Sequence, residues 1–122
     1  MNKIAVIIAS DQGAKLALTI RQELPGAELY STVEREHCTP ITSIQTFVSE
    51  QFSRFDALVF IGALGICVRA IAPCVRSKYT DPAVINIDSS GNHVISVLSG
   101  HPDAPSLGRH TGSKPGDHHA KR

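Results

Sequence analysis

The sequence has almost no net charge and no long apolar run, and each absence excludes a class of protein. With 12 Lys and Arg against 11 Asp and Glu in 122 residues, the formal net charge is +1. Such a chain offers no bulk electrostatic attraction for nucleic acid or for a membrane surface. The apolar stretches 1–10 and 56–68 are too short to span a bilayer. Met1-Asn2-Lys3 leads directly into a predicted strand without a signal-peptide cleavage site, which predicts a cytoplasmic protein.

Cysteine is also scarce, and its arrangement argues against disulfide or metal chemistry. Cys38, Cys67 and Cys74 form no CxxC pair, so neither a disulfide framework nor a zinc site is predicted. The spacing of Cys67 and Cys74 places both on one face of a helix that runs that far, and we expect ordinary buried thiols. The adjacent His118 and His119 indicate weak adventitious metal binding rather than a metal site.

Two signatures of common enzyme families are missing as well. The turn after the first predicted strand, Ser10-Asp11-Gln12-Gly13, contains one glycine where the dinucleotide-binding fingerprint GxGxxG requires three. A nucleotide-binding Rossmann-like domain is therefore disfavoured. The nucleophile-elbow motif GxSxG is absent, which gives little support to covalent catalysis by serine.

The sequence does contain an alternation of strand and helix signals. One amphipathic helix has Asp11 as its predicted N-cap and ends at Pro25-Gly26, and another begins near Thr42 or Ser43 after a charged loop, 33–40. A third helix follows Gly62 to Gly65 and ends near Val75. Five segments read as strands: 3–10, 27–32, 57–61, 83–88 and 93–98.

The order of these elements predicts the fold. The last two strands flank Ser89-Ser90-Gly91-Asn92, which is typical of a hairpin connection. Preceding helices alternate with strands, as in parallel βαβ units. The fold class is therefore α/β, a small three-layer sandwich with βαβ units and a terminal β-hairpin. The length allows a single domain with a real core.

Glycines and polar residues follow three of the strands, in the loops 10–13, 62–65 and 99–101. Because ligands of open α/β sheets bind at the carboxyl ends of the strands, we expect these loops to form one site. Gly62 and Gly65 permit a tight turn, and the helix that follows presents N–H groups that favour anions. Each loop taken singly is also compatible with a domain that binds no ligand.

The segment from Phe60 to His101 resembles a known family. The runs ALGICVRAIAP, SKYTDPAVINID and HVISVLSGH are similar to the N-terminal domain of the cobalt-precorrin-5A hydrolases of anaerobic cobalamin biosynthesis. The opening KIAVIIAS and the strand FDALVFIGA agree with that family in character and position.

The resemblance implies a reaction and a substrate. The reaction is opening of the δ-lactone ring of cobalt-precorrin-5A, with loss of a two-carbon fragment as acetaldehyde, to give cobalt-precorrin-5B. The substrate is an anionic corrinoid fringed with acetate and propionate carboxylates. It carries the cobalt, so the protein itself needs no cofactor and no metal.

Cations and one carboxylate in this segment are candidate site residues. Arg69 lies four residues into the helix from Gly65, where its guanidinium can hold a substrate carboxylate or form an ordinary salt bridge. Lys78, in an exposed loop, could steer an anionic macrocycle. Asp81 precedes a proline and is expected to fix the entry to the hairpin, with catalysis as the alternative.

The end of the last predicted strand supplies the candidate acid–base residue. His101 has a pKa range suited to proton transfer near neutrality, and lactone opening needs a base for water and an acid for the departing alkoxide. Ser99 and Gly100 precede it as substrate-binding candidates. Backbone N–H groups at 62–65 or at Gly100 could meet the negative charge that develops on the lactone oxygen. We expect Arg69, Lys78 and His101 to converge on one face at the strand ends.

After His101 the sequence departs from the family pattern. Residues 1–101 form the family-like domain, and 102–122 are rich in Pro and Gly, which predicts a disordered polar tail. A frame disturbance, a degraded gene or a truncation would each explain it. The partner could be a missing C-terminal domain or other cobalamin-pathway enzymes, and we expect little turnover by this chain alone. The alternative is a non-catalytic corrinoid-binding module or a gene remnant.

Overall fold

The computed structural model describes residues 3–99, in which six strands and three α-helices alternate along the chain. The strands are β1 Ile4–Ile8, β2 Ala27–Ser31, β3 Thr39–Pro40, β4 Ala57–Ile61, β5 Ala83–Ile87 and β6 Val94–Ser99. The helices are α1 Ala14–Glu23, α2 Ile44–Gln51 and α3 Leu64–Ile71. Single 3₁₀ turns occupy Asp11–Gly13, Phe52–Arg54 and Ala72–Cys74. Among these residues no helix has the length and apolarity needed to cross a membrane.

The strands form one sheet in the order β3-β2-β1-β4-β5-β6. All neighbours are parallel except β5 and β6, which form the predicted antiparallel hairpin. The expected βαβ units and terminal hairpin are therefore confirmed. The parallel strands β1, β2, β4 and β5 all end at the same side of the sheet, which we call the carboxyl edge. Their opposite ends form the amino edge.

The strands β1, β4 and β5 are buried on both faces of the sheet, and this explains why they read as continuous apolar runs. On one face the alternate residues Ile4, Val6 and Ile8 of β1 pack with Ala17 of α1. On the other face Ala5 and Ile7 pack with side chains of α2 and α3. Helix, sheet and helix give the predicted three layers.

Short polar side chains cap the helical segments, although they are not always the predicted ones. Ser43 caps α2, since its Oγ accepts a hydrogen bond from the Thr46 N–H at 3.0 Å. The prediction of Asp11 as an N-cap is wrong, because Ser10 Oγ accepts from the Gly13 N–H at 3.3 Å and Asp11 lies inside the turn.

Two further expectations about the loops need correction. The segment 33–40 is not entirely loop, because Thr39–Pro40 pairs in parallel with the end of β2 as a short edge strand. A strand of two residues, one of them a proline, has no strand periodicity, so the sequence offered no signal for it. Helix α3 begins at Leu64, so that Gly65 belongs to its first turn rather than to the preceding loop.

Replacing Ser43 by alanine should lower the free energy of unfolding by about 1 kcal/mol, because an orphan N–H of α2 loses its acceptor. The matched control is Ser49→Ala, the same change at an exposed position inside the same helix. That variant should be as stable as the wild type or slightly more stable, since alanine is the better helix former. Urea unfolding followed by circular dichroism measures both. Equal midpoints for the two variants would show that the cap contributes nothing.

Candidate functional site at the carboxyl edge of the sheet

The carboxyl edge has a topological switch point between β1 and β4. Helix α1 leaves β1 over one face of the sheet and α3 leaves β4 over the other, so the connections diverge at this point. Open α/β sheets bind ligands at such divergence points. The two strand ends are held together here by a hydrogen bond from the Ala9 N–H to the Ile61 carbonyl, 2.9 Å.

Gly62 makes the turn from β4 into α3. Its φ is +148°, a region that disfavours other residues, and an added Cβ would lie 2.9 Å from the Cβ of Ala9. Its N–H donates to the Ile87 carbonyl at 2.9 Å. The turn is therefore fixed against both neighbouring strands, and the predicted need for glycine at position 62 is confirmed.

A buried side chain of β5, which the sequence analysis missed, supports this turn through hydrogen bonds. Asn86 is buried, with 3% relative exposure. Its Nδ2 donates to the carbonyls of Gly62 at 3.3 Å and Phe60 at 3.4 Å. A buried amide needs such partners, because an unsatisfied polar group in the core is costly. The available signal was a single polar residue inside the apolar strand Ala83–Ile87.

On the α1 face this switch point is filled by contacts within the chain. Ser10 and Ser89, from the ends of β1 and β5, share a 2.6 Å hydrogen bond between their Oγ atoms. Gly13 packs so tightly on β4 that an added Cβ would lie 2.3 Å from Ile61 Cγ2. Ser10, in the loop that was expected to bind ligand, is therefore occupied by an internal contact.

The hairpin turn next to Ser89 is likewise ordered by internal contacts. Asp88 accepts hydrogen bonds from the His93 N–H at 3.1 Å and from the Ser90 hydroxyl at 2.9 Å, and it contacts His93 Nδ1 at 3.2 Å. The bonds from His93 and Ser90 lower the pKa of the Asp88 carboxyl to about 2. Asp88 therefore stays ionised across the physiological range and does not resemble a general acid.

One arginine at this edge is also committed to internal contacts. Arg35 pairs with Asp11 through Nη2, and its Nε donates to Ser31 Oγ at 3.1 Å. Ser31 is buried and also accepts from the Val33 N–H at 3.1 Å. These contacts tie the loop after β2 to the loop after β1. No motif links residues so far apart in the sequence, so the pairing of Arg35 with Asp11 could not be predicted.

Arg69 differs from Arg35. It lies in the last turn of α3, is exposed, and within residues 3–99 forms no ion pair and no side-chain hydrogen bond. Helical side chains lean toward the N-terminus of their helix, so position 69 covers the turn that contains Gly65. The salt bridge that the sequence allowed for Arg69 is not observed in this part of the chain, so its cation is free of a carboxylate partner there.

Lys78 does not lie at the carboxyl edge. It lies in the connection from α3 to the start of β5, which is at the amino edge, and it is exposed. Its Nζ is 5.3 Å from the centroid of the Tyr79 ring, within the range of a cation–π contact. The expected convergence of Lys78 with the carboxyl-edge loop is wrong, because α3 carries the chain back across the sheet.

Asp81 has a structural use at the amino edge. Its side chain is buried, and Oδ2 accepts hydrogen bonds from the N–H groups of Arg76 at 2.8 Å and Ser77 at 3.0 Å. These bonds fix the turn before β5, in agreement with the expectation that Asp81 sets the entry to the hairpin. A catalytic role for Asp81 stays a prediction.

The expectation that Ser99 joins the Gly62 turn is wrong. Because β6 runs antiparallel to β5, Ser99 pairs with Ala83 at the start of β5 and thus lies at the amino edge. A hairpin returns the chain to the end at which it began, and the sequence analysis did not allow for this. Gly100 and His101, the remaining predicted site residues of this loop, lie outside the described residues.

The cysteines behave as structural residues. Cys67 and Cys74 are buried in the core between the sheet and the helices α2 and α3, as expected. Burial raises the pKa of Cys67 to about 12, so its thiol is not ionised near neutral pH. Burial also raises the pKa of Cys38, against the opposing effect of Arg35 and Arg21. Within residues 3–99 no three His, Cys, Asp or Glu side chains lie together as metal ligands would.

Comparison with known proteins yields one family. Residues 46–116 match the family model described as Cobalamin synthesis G N-terminal. A protein named cobalt-precorrin-5A hydrolase from Salmonella typhimurium is 58% identical over 52 residues, which are 43% of this chain and 15% of the relative. A protein of the same name from Priestia megaterium is 48% identical over 59 residues, 48% of this chain and 16% of the relative.

A solved structure extends the similarity to the first strands. The crystal structure of a cobalamin biosynthesis protein G homologue from Sulfolobus solfataricus matches 89% of this chain with a TM-score of 0.69 and 27% identity. The match covers 33% of that homologue. The chain thus spans a minor part of the length of each relative.

The two backbone bonds to Asp81 lead to a stability prediction. Asp81→Ala should lower the free energy of unfolding by about 2 to 3 kcal/mol, because two N–H groups lose a charged acceptor. Asp81→Asn keeps an acceptor oxygen and should lose less. The control is Asp56→Ala, which gives up one bond from the Lys3 N–H at an exposed site. Chemical denaturation measures all three; a wild-type midpoint for Asp81→Ala would refute the structural role.

Proposed function

Since the chain belongs to the Cobalamin synthesis G N-terminal family, we propose that it acts in cobalamin biosynthesis as the N-terminal domain of a cobalt-precorrin-5A hydrolase. The proposed reaction is hydrolysis of the δ-lactone of cobalt-precorrin-5A with release of acetaldehyde, giving cobalt-precorrin-5B. Relatives named cobalt-precorrin-5A hydrolase support this assignment over the segment that they share with the chain.

The observation that carries the proposal is the free guanidinium of Arg69 on the exposed side of α3. The substrate is an anion, and a bidentate arginine–carboxylate contact fixes both the position and the orientation of a carboxylate. Arg35 is paired with Asp11, whereas Arg69 has no partner in residues 3–99. We therefore assign Arg69 to the binding of a side-chain carboxylate of the corrinoid.

The start of α3 suits the charge that lactone hydrolysis creates. When water adds to the lactone carbonyl, its oxygen becomes an oxyanion, and the ring C–O bond then breaks with transfer of a proton to the leaving oxygen. The N–H groups of Leu64 and Gly65 have no acceptor within residues 3–99, whereas the Gly62 N–H is bound to Ile87. Donors that are already oriented stabilise an oxyanion without reorganisation. The proposed oxyanion contact is thus at Leu64 and Gly65.

The acid–base step is not assigned to a described residue. His101, which the sequence favours for proton transfer, stays a prediction. A rival function is a corrinoid-binding module without catalysis, and it predicts the same contact at Arg69. The two are distinguished by chemistry: when the chain is combined with the remaining part of a full-length relative, cobalt-precorrin-5A releases acetaldehyde above the level of that remaining part alone only if the chain takes part in catalysis. Binding without acetaldehyde favours the rival, and neither binding nor acetaldehyde would overturn both.

Charge reversal at Arg69 should weaken the binding of cobalt-precorrin-5A by about 1 to 3 kcal/mol, the range for loss of a charge-assisted hydrogen bond. The matched control is Arg21→Glu, since Arg21 is also exposed and in the last turn of a helix, α1, on the opposite face of the sheet. Both variants should lose a similar small amount of stability, because each removes a cation from a helix C-terminus. Calorimetric titration and thermal unfolding measure the two effects.

The outcome that contradicts the assignment is specific. If Arg69→Glu and Arg21→Glu bind the corrinoid equally well per folded molecule, Arg69 does not contact the substrate. If Arg69→Glu unfolds the domain while Arg21→Glu does not, Arg69 has a structural role that the described contacts do not contain.

A further inference from the structure

Exposed apolar side chains are concentrated on one element. Eight large apolar residues are exposed in the described part of the chain. Three of them, Leu64, Ile66 and Val68, belong to α3, and two more, Val75 and Tyr79, follow in the segment that continues it. By contrast, α1 exposes one such residue, Leu18, and α2 exposes none. An exposed apolar cluster of this kind indicates a contact surface.

The helical repeat shows how this surface is arranged. Cys67, Ala70 and Ile71 form the buried side of α3. At about 100° per residue, Gly65 and Arg69 lie one above the other at the centre of the opposite side. Leu64 and Val68 form one flank and Ile66 the other. We call these five exposed residues the α3 face: Leu64, Gly65, Ile66, Val68 and Arg69.

The chain segment that contains this face carries charges of one sign. The 24 residues from Ala57 to Thr80 contain three cations, Arg69, Arg76 and Lys78, and no Asp or Glu. All three cations are exposed, and within residues 3–99 none forms an ion pair. The complement of such a surface is a ligand with an apolar body and negative charges at its border. A second protein chain bearing only an apolar patch would leave the cations without partners.

Gly65 is the second observation, because the fold does not require it. A Cβ at Gly13 would lie 2.3 Å from Ile61, and one at Gly62 would lie 2.9 Å from Ala9, so the fold excludes a side chain at both. A Cβ at Gly65 would have no atom within 4 Å, and Gly65 has no positive φ. Glycine inside a helix is less stable than alanine. Its presence here leaves a gap between the apolar flanks, directly beneath Arg69.

We propose that the α3 face is the surface on which the corrinoid lies, with one apolar face of the macrocycle on Leu64, Ile66 and Val68. This proposal rests on the proposed function and extends it from a single carboxylate contact to the substrate body. Gly65 allows the flat ring to approach the helix backbone, and Arg69 reaches over it to a carboxylate on the ring border. The absence of a side chain at position 65 is therefore a requirement of the ligand and not of the fold.

The test is to fill the gap without disturbing the helix. Gly65→Ala should raise the melting temperature by a few degrees, roughly the effect of replacing an exposed helical glycine. The same variant should bind cobyrinic acid, a cobalt corrinoid with free side-chain carboxylates, at least about tenfold more weakly than the wild type. Gly65→Leu should bind more weakly still. Absorbance titration of the corrinoid and thermal unfolding provide the two readouts.

The control is Thr19→Ala, another change to alanine at an exposed helical position, on α1 across the sheet. It should keep wild-type affinity at equal or higher stability. If Gly65→Ala and Gly65→Leu bind cobyrinic acid as tightly as the wild type, the proposal is overturned while the Arg69 contact stands. If the wild type binds no corrinoid at all, the proposed function fails and this inference with it.

A second copy of this chain is the competing occupant of the α3 face. Val68→Glu places a negative charge on one flank, and it should reduce corrinoid affinity without changing the sedimentation of the free protein. A wild-type dimer that Val68→Glu converts to a monomer, with corrinoid affinity unchanged, would identify the face as an interface between copies and overturn the proposal.

Discussion

The structure depends on two close approaches at the ends of the central strands β1 and β4. Gly13 lies against Ile61 and Gly62 lies against Ala9, each so closely that a side chain would not fit. The first contact sets the start of α1 on one face of the sheet, and the second sets the start of α3 on the other. Both helices therefore leave the carboxyl edge at fixed positions. The rigid turn into α3, and with it the orientation of the N–H groups of Leu64 and Gly65, follows from this packing.

Topology then divides the polar residues between the two edges. The turn at Gly62 lies at the carboxyl edge, whereas Asp81 and Ser99 lie at the amino edge, because α3 and β6 both carry the chain back across the sheet. Asp81 is occupied there by two backbone N–H groups. The polar groups that remain free of internal partners in residues 3–99 include the guanidinium of Arg69, on the face of α3 that points away from the sheet.

The fold was largely predictable, but the site only in part. Apolar runs such as Ala57–Ile61 and the Ser89–Asn92 turn carry local signals, so strands, helices and hairpin could be placed from the sequence. The position of Ser99 could not be derived from its own neighbours, since it depends on the direction of β6 relative to β5. Contacts between distant segments, such as Arg35 with Asp11 and Ser10 with Ser89, leave no periodic pattern.

Helix α3 contains several residues that do not contribute to a stable helix or to the core. Most of the described chain agrees with local expectation: apolar strands are buried, short polar residues cap turns, and the tightly packed glycines are required by their neighbours. In α3 a glycine without packing neighbours, exposed aliphatic side chains and an arginine without an acceptor occur within six residues, Leu64 to Arg69. Gly65 meets no close neighbour, and Arg69 forms no ion pair or side-chain hydrogen bond in residues 3–99. Because sequences that specify one fold violate local rules chiefly where a function requires it, the coincidence favours a ligand as the cause.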